Sequence, residues 1–373
     1  MRVKDKSIFN KIKQYSFINT LKVITATSLS IALIFSLTSC KSTTNVNSNT
    51  SNSQANNSNS LDSEKYSADI FAMDTYMSLT AYGSNAENAV LAAVYEIQRL
   101  DNMFSVGNTE SDVTRLNISG TASVSDETSY LINKSLEISQ KTQGAFDITI
   151  YPVMVLWGFT TQNYKVPSQA ELDEVLKKVD YNNIVISGNN VTLKNNAQID
   201  FGGIAKGYTS TKVIELIKEN GIENAIVNLG GNVQTLGLKP DGSQWKVAIQ
   251  SPDNDDTYIG ILKTNDKAVI TSGGYERYFE ENGKKYHHII DSNTGYPSDS
   301  DLTSVTIICA DGTTADALST SLFIMGKEKA AQFYKSTDIE FDMIIVDSDK
   351  NVYISEGIKD LFTSDYNVTV INK

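Results

Sequence analysis

The first 65 residues of this chain confine any folded core to the residues that follow them. Residues 41–63 consist almost entirely of serine, threonine and asparagine, so they carry too little apolar surface to offset the entropy lost on ordering. Residues 1–39 hold one apolar run, "VITATSLSIALIFSL", which is shorter than the roughly 20 residues of a membrane-spanning helix. We therefore expect folded structure to begin near Tyr66 and to occupy residues 66–373.

The N-terminal segment has the order of features found in an export signal. Basic residues come first, the apolar run follows, and the small residues of "LTSC" precede Cys40. This order resembles a bacterial lipobox, in which the cysteine is lipidated, with palmitate among its acyl chains, and becomes the mature N-terminus. An uncleaved anchor helix or a plain secretory signal is the alternative. The sequence thus predicts a lipoprotein signal peptide (1–39), a lipidated Cys40 with a disordered tether (40–65), and an extracytoplasmic protein that is lipid-anchored to the cell membrane.

Charge and cysteine content narrow the classes of function. The formal net charge of −12 argues against nucleic-acid binding, which calls for a basic surface. Cys309, the second cysteine, lies in the apolar run "SVTIICA" and is expected to be a buried core residue. With Cys40 lipidated, no intramolecular disulfide is left to stabilise the fold.

Hydrophobic periodicity predicts an α+β fold with mostly antiparallel and mixed sheets and flanking helices. Residues 66–83 read as strand, turn and strand, and the helix that follows has Ser84 as its candidate N-cap. Asn282-Gly283 stands between two β-prone arms and predicts a tight hairpin whose returning arm carries His287 and His288. The helices are predicted over 85–104, 126–142, 173–179, 208–220, 313–324 and 326–335.

Three stretches carry candidate chemistry, and each also has a purely structural explanation. "IDFGGIAKGYTS" places glycines and Lys206 at the mouth of a helix, which suits an anion, although the stretch lacks the order of a P-loop. "VNLGGNV" has a glycine pair typical of a tight turn. "TADALSTSLF" puts Asp316 and Thr320 four residues apart on a helix, so both oxygens face one way, as in hard-oxygen ligation of Mg²⁺. Alternatively, Asp316 interacts with the helix dipole and Thr320 bonds back to a carbonyl.

The two histidines of the chain are adjacent, at His287 and His288. Neighbours on a strand point to opposite faces, so they cannot bind one metal together and only one of them can face a site. A histidine that titrates near pH 7 is a natural acceptor for a hydroxyl proton. Asp291 and Thr294, in the turn that follows, are expected near the same edge.

Taken together, eight stretches resemble the FAD:protein FMN transferases of the ApbE family in content and order. The resemblance spans about Phe71 to Asp347. The stretches are "MDTYMSL", "MFSV…SDVTRLN", "GAFDITIYPVMVLWGF", "DFGGIAKGY", "NLGGNV", "TSGGYERYF", "HHIIDSNTGYP" and "ADALSTSLF".

The resemblance implies an Mg²⁺-dependent enzyme. Family members cleave FAD, attach FMN through its phosphate to a Thr or Ser of an exported acceptor protein, such as a subunit of a membrane redox complex, and release AMP. By position, His288 matches the proposed general base. The metal ligands match Asp316, Thr320 and the carbonyl of Gly203. The FAD contacts match Met73, Ala145, Phe146, Asp147, Asp200, Lys206 and Ile289.

The chain departs from the family pattern at three positions. Asp74 stands where the family usually has glycine, Ser292 where it has proline, and Val106 where an aromatic residue is common. Two other functions use the same residues: an FAD pyrophosphatase that makes FMN and AMP with water as the nucleophile, and an FAD-binding lipoprotein without turnover.

Overall fold

The structure, a computed structural model, describes residues 64–253 and 257–373. The predicted signal peptide, Cys40 and nearly all of the predicted tether lie outside the described residues. Among the described residues, no helix combines the length and apolar character that crossing a membrane requires.

The helices and strands alternate irregularly along the chain. The helices are α1 (Ala86–Phe104), α2 (Asp112–Ser119), α3 (Asp126–Lys141), α4 (Tyr151–Trp157), α5 (Gln169–Leu176), α6 (Ala205–Glu219) and α7 (Gly312–Ser336). The strands are β1 (Lys65–Ala72), β2 (Thr75–Tyr82), β3 (Thr121–Ser123), β4 (Ile184–Ser187), β5 (Asn190–Leu193), β6 (Asn224–Leu229), β7 (Asn232–Leu236), β8 (Trp245–Gln250), β9 (Tyr258–Thr264), β10 (Ala268–Gly273), β11 (Tyr278–Glu281), β12 (Lys284–His287), β13 (Leu302–Cys309), β14 (Asp342–Asp347), β15 (Val352–Ser355), β16 (Phe362–Thr363) and β17 (Val368–Ile371).

One nine-stranded sheet organises the molecule, in the order β1-β2-β6-β7-β10-β13-β14-β15-β17. Its neighbouring strands are antiparallel except for the parallel pair β15–β17. Three small antiparallel sheets, β11-β12, β16-β9-β8 and β3-β5-β4, complete the described part. The predicted α+β class with mostly antiparallel sheet is confirmed.

Helices α6 and α7 pack against each other and against the central strands of the large sheet. Ile270, Val305 and Ile307 of the sheet share one apolar cluster with Leu318 and Leu322 of α7, and all five are buried. Each such side chain contributes about 1.5–3 kcal/mol relative to an exposed one. This packing fixes α7, and with it Asp316 and Thr320, over the middle of the sheet. Cys309 is buried in the same cluster, as predicted.

Several predicted boundaries were wrong, for local reasons. The cap position of α1 is Asn85 rather than Ser84, and the Asn85 amide donates to the Asn220 carbonyl instead of capping the helix. Helix α5 begins at Gln169 rather than 173, because Ser168 and Glu171 form a capping box. The helix predicted from residue 208 begins at Ala205.

The predicted Asn282-Gly283 hairpin and the helices predicted over 313–324 and 326–335 are present, with differences at their ends. The Asn282-Gly283 turn has φ 54° and 76°, the left-handed values that a tight hairpin needs. Strand β12 ends at His287, so His288 follows the strand instead of belonging to it. The helices predicted over 313–324 and 326–335 form one element that breaks at Gly326, where φ is 79°.

Candidate active site

A cavity of about 580 Å³ opens where α6, α7 and the β1–β2 and β6–β7 turns meet. It is lined by all eleven described residues to which the family resemblance assigns a catalytic, metal-binding or FAD-binding position. These residues are Met73, Ala145, Phe146, Asp147, Asp200, Gly203, Lys206, His288, Ile289, Asp316 and Thr320. Residues more than 240 positions apart in sequence thereby line the same cavity.

The glycine-rich stretch forms a turn and the start of α6. The Asp200 carboxylate accepts a hydrogen bond from the Gly202 N–H at 2.8 Å, which shapes the turn. Burial raises the pKa of Asp200, while the Gly202 N–H and the charge of Arg277 oppose that rise. Lys206 lies in the first turn of α6 and lines the cavity. A cation at a helix N-terminus is suited to an anionic ligand.

Gly207 has a packing role rather than a ligand-binding one. A Cβ added there would stand 2.1 Å from the Gly312 carbonyl oxygen and 2.6 Å from the Asp316 Cβ. Only a glycine therefore allows α6 and α7 to approach this closely. The Gly207 N–H also donates to Asp316 Oδ2 at 2.8 Å. Asp316 is buried and lies past the first turn of α7, so its main partner is α6 and not the helix dipole.

Thr320, which follows Asp316 by one turn of α7, lies near Ser272 and Gly203. Thr320 Oγ1 lies 3.2 Å from Ser272 Oγ, and a Cβ added to Gly203 would stand 3.7 Å from Thr320 Oγ1. Among the described residues no group of three His, Cys, Asp or Glu side chains could hold a metal. A carboxylate, a hydroxyl and a backbone carbonyl nevertheless fit a hard cation whose shell is completed by phosphate and water, so the residues present suit Mg²⁺.

The two histidines have different environments. His287 Nε2 donates to the Ser298 carbonyl at 3.2 Å, and its Nδ1 accepts from the Ile289 N–H at 3.2 Å. Both ring nitrogens are thus engaged by backbone, and the ring packs against Phe323 and lines a second cavity of about 660 Å³. His287 is a structural residue.

His288 faces the first cavity with one nitrogen free. Its Nδ1 lies 3.1 Å from the Arg277 carbonyl oxygen, which can only accept, so Nδ1 carries the proton. Nε2 therefore holds a lone pair and has no hydrogen-bond partner among the described residues. Burial, followed by the charge of Arg277, lowers the pKa of His288 to about 3. The lowered pKa keeps His288 neutral near pH 7, which is the form in which Nε2 can accept a proton.

The loop that contains Ala145, Phe146 and Asp147 is held by the Asp147 carboxylate. Its Oδ1 accepts from Thr149 N at 2.8 Å and its Oδ2 from Tyr181 N at 3.0 Å. Burial raises the pKa of Asp147. Asp147 therefore shapes the cavity wall chiefly by fixing its own loop.

The departures from the family pattern have local explanations. Asp74 adopts φ 59°, a left-handed value that glycine takes most easily and that aspartate tolerates. Ser292 Oγ donates to the Gly144 carbonyl at 2.9 Å, a bond that proline cannot make. Val106 packs against the main apolar cluster. Asp291, by contrast, does not line the cavity, because its Oδ1 accepts from Asn293 N within its own turn.

Sequence reasoning missed several polar residues that line the cavity, and four of them bear on its chemistry. Ser272 contacts Thr320, and Glu276 and Arg277 follow it in the "TSGGYERYF" stretch. Glu276 is exposed as a residue, but desolvation by the protein around its carboxyl raises its pKa to about 7, with the charge of Lys206 opposing that rise. Asn232 follows the paired glycines, is buried, and its Nδ2 has no partner in the described part of the chain. The "VNLGGNV" stretch was interpreted only from its glycine pair, and "TSGGYERYF" only as one of the family motifs, so neither interpretation singled out these polar residues.

The cavity, its candidate metal ligands and its histidine can be compared with known proteins. Residues 73–345, the span that contains every cavity residue named above, match the sequence model of the ApbE family. This chain belongs to the ApbE family.

Relatives within the ApbE family cover most of the chain. An FAD:protein FMN transferase of Klebsiella pneumoniae is 31% identical over 302 residues, which are 79% of this chain and 93% of the relative. An FAD:protein FMN transferase of Escherichia coli K12 is 31% identical over 279 residues, 72% and 80% of the two chains. The crystal structure of the ApbE protein of Thermotoga maritima is 35% identical and superimposes with a TM-score of 0.75, covering 80% of this chain and 99% of that one. The flavin transferase ApbE of Vibrio cholerae is 27% identical, with a TM-score of 0.72 and coverage of 80% and 99%.

Proposed function

We propose that this protein is an FAD:protein FMN transferase that moves FMN from FAD to a Thr or Ser hydroxyl of an acceptor protein and releases AMP. The observation that carries the proposal is the convergence of Asp316, Thr320, Lys206 and His288 on one cavity. The names of the family relatives support the use of FAD and of a protein acceptor.

The reaction needs a base, charge neutralisation and positioning. The acceptor oxygen attacks the phosphorus of the FMN half, the bond from that phosphorus to the bridging oxygen breaks, and AMP leaves with that oxygen. His288 Nε2 takes the hydroxyl proton, since its lone pair is free and its Nδ1–H is fixed by the Arg277 carbonyl. Lys206 binds phosphate oxygens from the start of α6. Mg²⁺, held by Asp316, Thr320 and the Gly203 carbonyl, would supply charge neutralisation at the diphosphate.

The proposed transfer is tested by incubating residues 64–373 of this chain with FAD, Mg²⁺ and an acceptor protein that carries a candidate Thr. Flavin fluorescence that survives a denaturing gel, with AMP in solution, is expected. Free FMN and AMP without labelled acceptor would indicate an FAD pyrophosphatase instead. FAD binding without either product would indicate a binding protein. An acceptor variant with Ala in place of the target Thr is the matched control.

We further propose that the protein acts outside the cytoplasm. The basic stretch, apolar run and Leu-Thr-Ser-Cys40 sequence support export followed by lipidation, and residues 41–63 would link the anchor to the catalytic body. In this proposal the acceptors are exported proteins, such as subunits of membrane redox complexes, and FAD is the second substrate.

A further inference from the structure

Arg277 is a cationic residue of the cavity to which neither the family pattern nor the proposed reaction gives a role. Arg277 is an exposed residue, and it is among those that line the cavity. One guanidinium nitrogen, Nη2, donates to the Phe159 carbonyl at 2.9 Å. No other hydrogen bond of this guanidinium is found within the described residues, so four of its five N–H groups are available to a ligand.

Arg277 and His288 are neighbours that share contacts with each other and with Phe159. The Phe159 carbonyl holds the guanidinium, and the Phe159 ring lies 6.4 Å from the His288 ring. The Arg277 carbonyl accepts from both the backbone N–H and Nδ1 of His288, at 3.0 and 3.1 Å. The charge of Arg277 also acts on Asp200, across the glycine-rich turn. Both residues line the cavity, and burial lowers the pKa of His288 with a further contribution from the nearby charge of Arg277.

The cavity has more acidic than basic side chains, so each cation in it matters for the binding of a negatively charged substrate. Two basic side chains, Lys206 and Arg277, line it together with five carboxylates. The carboxylates are those of Asp74, Asp147, Asp200, Glu276 and Asp316. A substrate diphosphate adds further negative charge, so each fixed cation has a large effect on binding and on the transition state.

We infer that the Arg277 guanidinium binds the phosphoryl group that is transferred, on the FMN side of the diphosphate, next to the base. The inference rests on the proposed function. Lys206, at the start of α6 in the same cavity, serves the remaining phosphate oxygens. The planar fork of arginine matches two phosphate oxygens at once, and its anchor on Phe159 keeps it in place before substrate arrives.

The test compares Arg277→Met and Arg277→Lys with Arg99→Met. Arg99 pairs with Glu96 at 2.6 Å and does not line the cavity, so its variant controls for the loss of one positive charge. Binding is measured by equilibrium dialysis with FMN, riboflavin and AMP, and turnover by labelling of the acceptor. For Arg277→Met we expect FMN affinity to fall about 10- to 100-fold, the range for charge-assisted hydrogen bonds. Riboflavin and AMP affinity should stay within about twofold of wild type.

Turnover supplies the second readout. Arg277→Met should lose at least about tenfold in kcat, and Arg277→Lys should lose less. In a third variant, Arg277→Ala, guanidinium added to the solution should restore part of the lost kcat. Unchanged FMN affinity in Arg277→Met would overturn the inference, and so would a selective loss of AMP affinity, which would assign Arg277 to the other phosphate. Failure of the wild type to label any acceptor would instead overturn the proposed function, while the FMN and riboflavin comparison would still decide the role of Arg277.

Discussion

At the scale of single residues, the adjacent histidines show how backbone contacts separate a catalytic candidate from a structural residue. We expect His288→Ala to slow transfer about 10²- to 10⁴-fold, the usual contribution of a general base, while FAD binding survives. His287→Ala should act mainly on stability, because it removes two hydrogen bonds worth about 0.5–1.5 kcal/mol each. Acceptor labelling and thermal unfolding of the two variants distinguish these effects. Equal loss of transfer in both variants would contradict the assignment of His288 as the base and of His287 as a structural residue.

The raised pKa of Glu276 can be tested through the pH dependence of the protein's stability. Glu276 is an exposed residue that lines the cavity, yet desolvation by the surrounding protein raises its pKa to about 7 from an ordinary value of 4.5. Between these values the folded state keeps a proton that the unfolded state has lost, so the contribution of Glu276 to stability falls as pH rises from about 4.5 to 7. Glu276→Gln should remove that loss. Its melting temperature should therefore gain on that of wild type as pH rises through this window.

The control for this titration is Glu280→Gln, an exposed carboxylate of β11 that lies outside the cavity. The melting temperature of each variant is measured from pH 4.5 to 8 in the absence of FAD and divalent ions. A difference between Glu276→Gln and wild type that does not vary with pH would show that the carboxyl is well hydrated in the folded protein.

Asp316 is the only acidic residue among the proposed metal ligands. Asp316→Ala should reduce transfer to a small remainder or to nothing, and any residual transfer should depend less on Mg²⁺. An acid that merely interacted with a helix dipole would cost about 0.3–1 kcal/mol of stability and leave transfer intact. Titration of Mg²⁺ in the labelling reaction, together with the melting temperature, separates the two accounts. Near-normal turnover in Asp316→Ala would reject the metal site.

At the scale of elements, the crossing of α6 and α7 positions the metal ligands. Gly207→Ala would place its Cβ 2.1 Å from the Gly312 carbonyl oxygen, so the helices must separate. We expect a loss of about 1–3 kcal/mol in the free energy of unfolding, as for other overpacked cores, and weaker Mg²⁺ activation because Asp316 moves with α7. Gly107→Ala is the control, since its added Cβ would meet nothing closer than 3.6 Å. Denaturant titration of both variants measures the difference, and equal stability would contradict the packing role.

Elements with strong local signals were predictable from the sequence. The Asn282-Gly283 hairpin and the apolar periodicity of α1 are local properties, and both are present as expected. The start of α6 was misplaced because Gly207 looks like a helix breaker, whereas its cost is offset by contact with α7, over 100 residues away in sequence. The helix propensity of a residue contains no information about a distant helix that packs against it.

At the scale of the whole molecule, the cavity could be anticipated only through the ordered family motifs. Asp200, His288 and Asp316 come from separate parts of the chain, and nothing local to any of them indicates that the others are near. The order of eight motifs carried that information, and the structure brings their residues into one space. The motifs did not single out Arg277 or Glu276, because their effect depends on the charges around them in three dimensions.

At the same scale, the proposed lipid on Cys40 would determine where the whole molecule resides. The nine-stranded sheet and its helices use residues from Lys65 onward, so changes at Cys40 should leave that fold intact. If Cys40 carries the acyl chains of a lipoprotein, Cys40→Ala should release the protein from the membrane, since stable anchoring needs more than one chain or signal. Fractionation of cells that express each form, followed by immunoblotting, measures the release. Transfer activity in the soluble fraction should equal that of wild type. Membrane association of Cys40→Ala as tight as that of wild type would show that the N-terminal segment is an uncleaved anchor helix and not a lipoprotein signal.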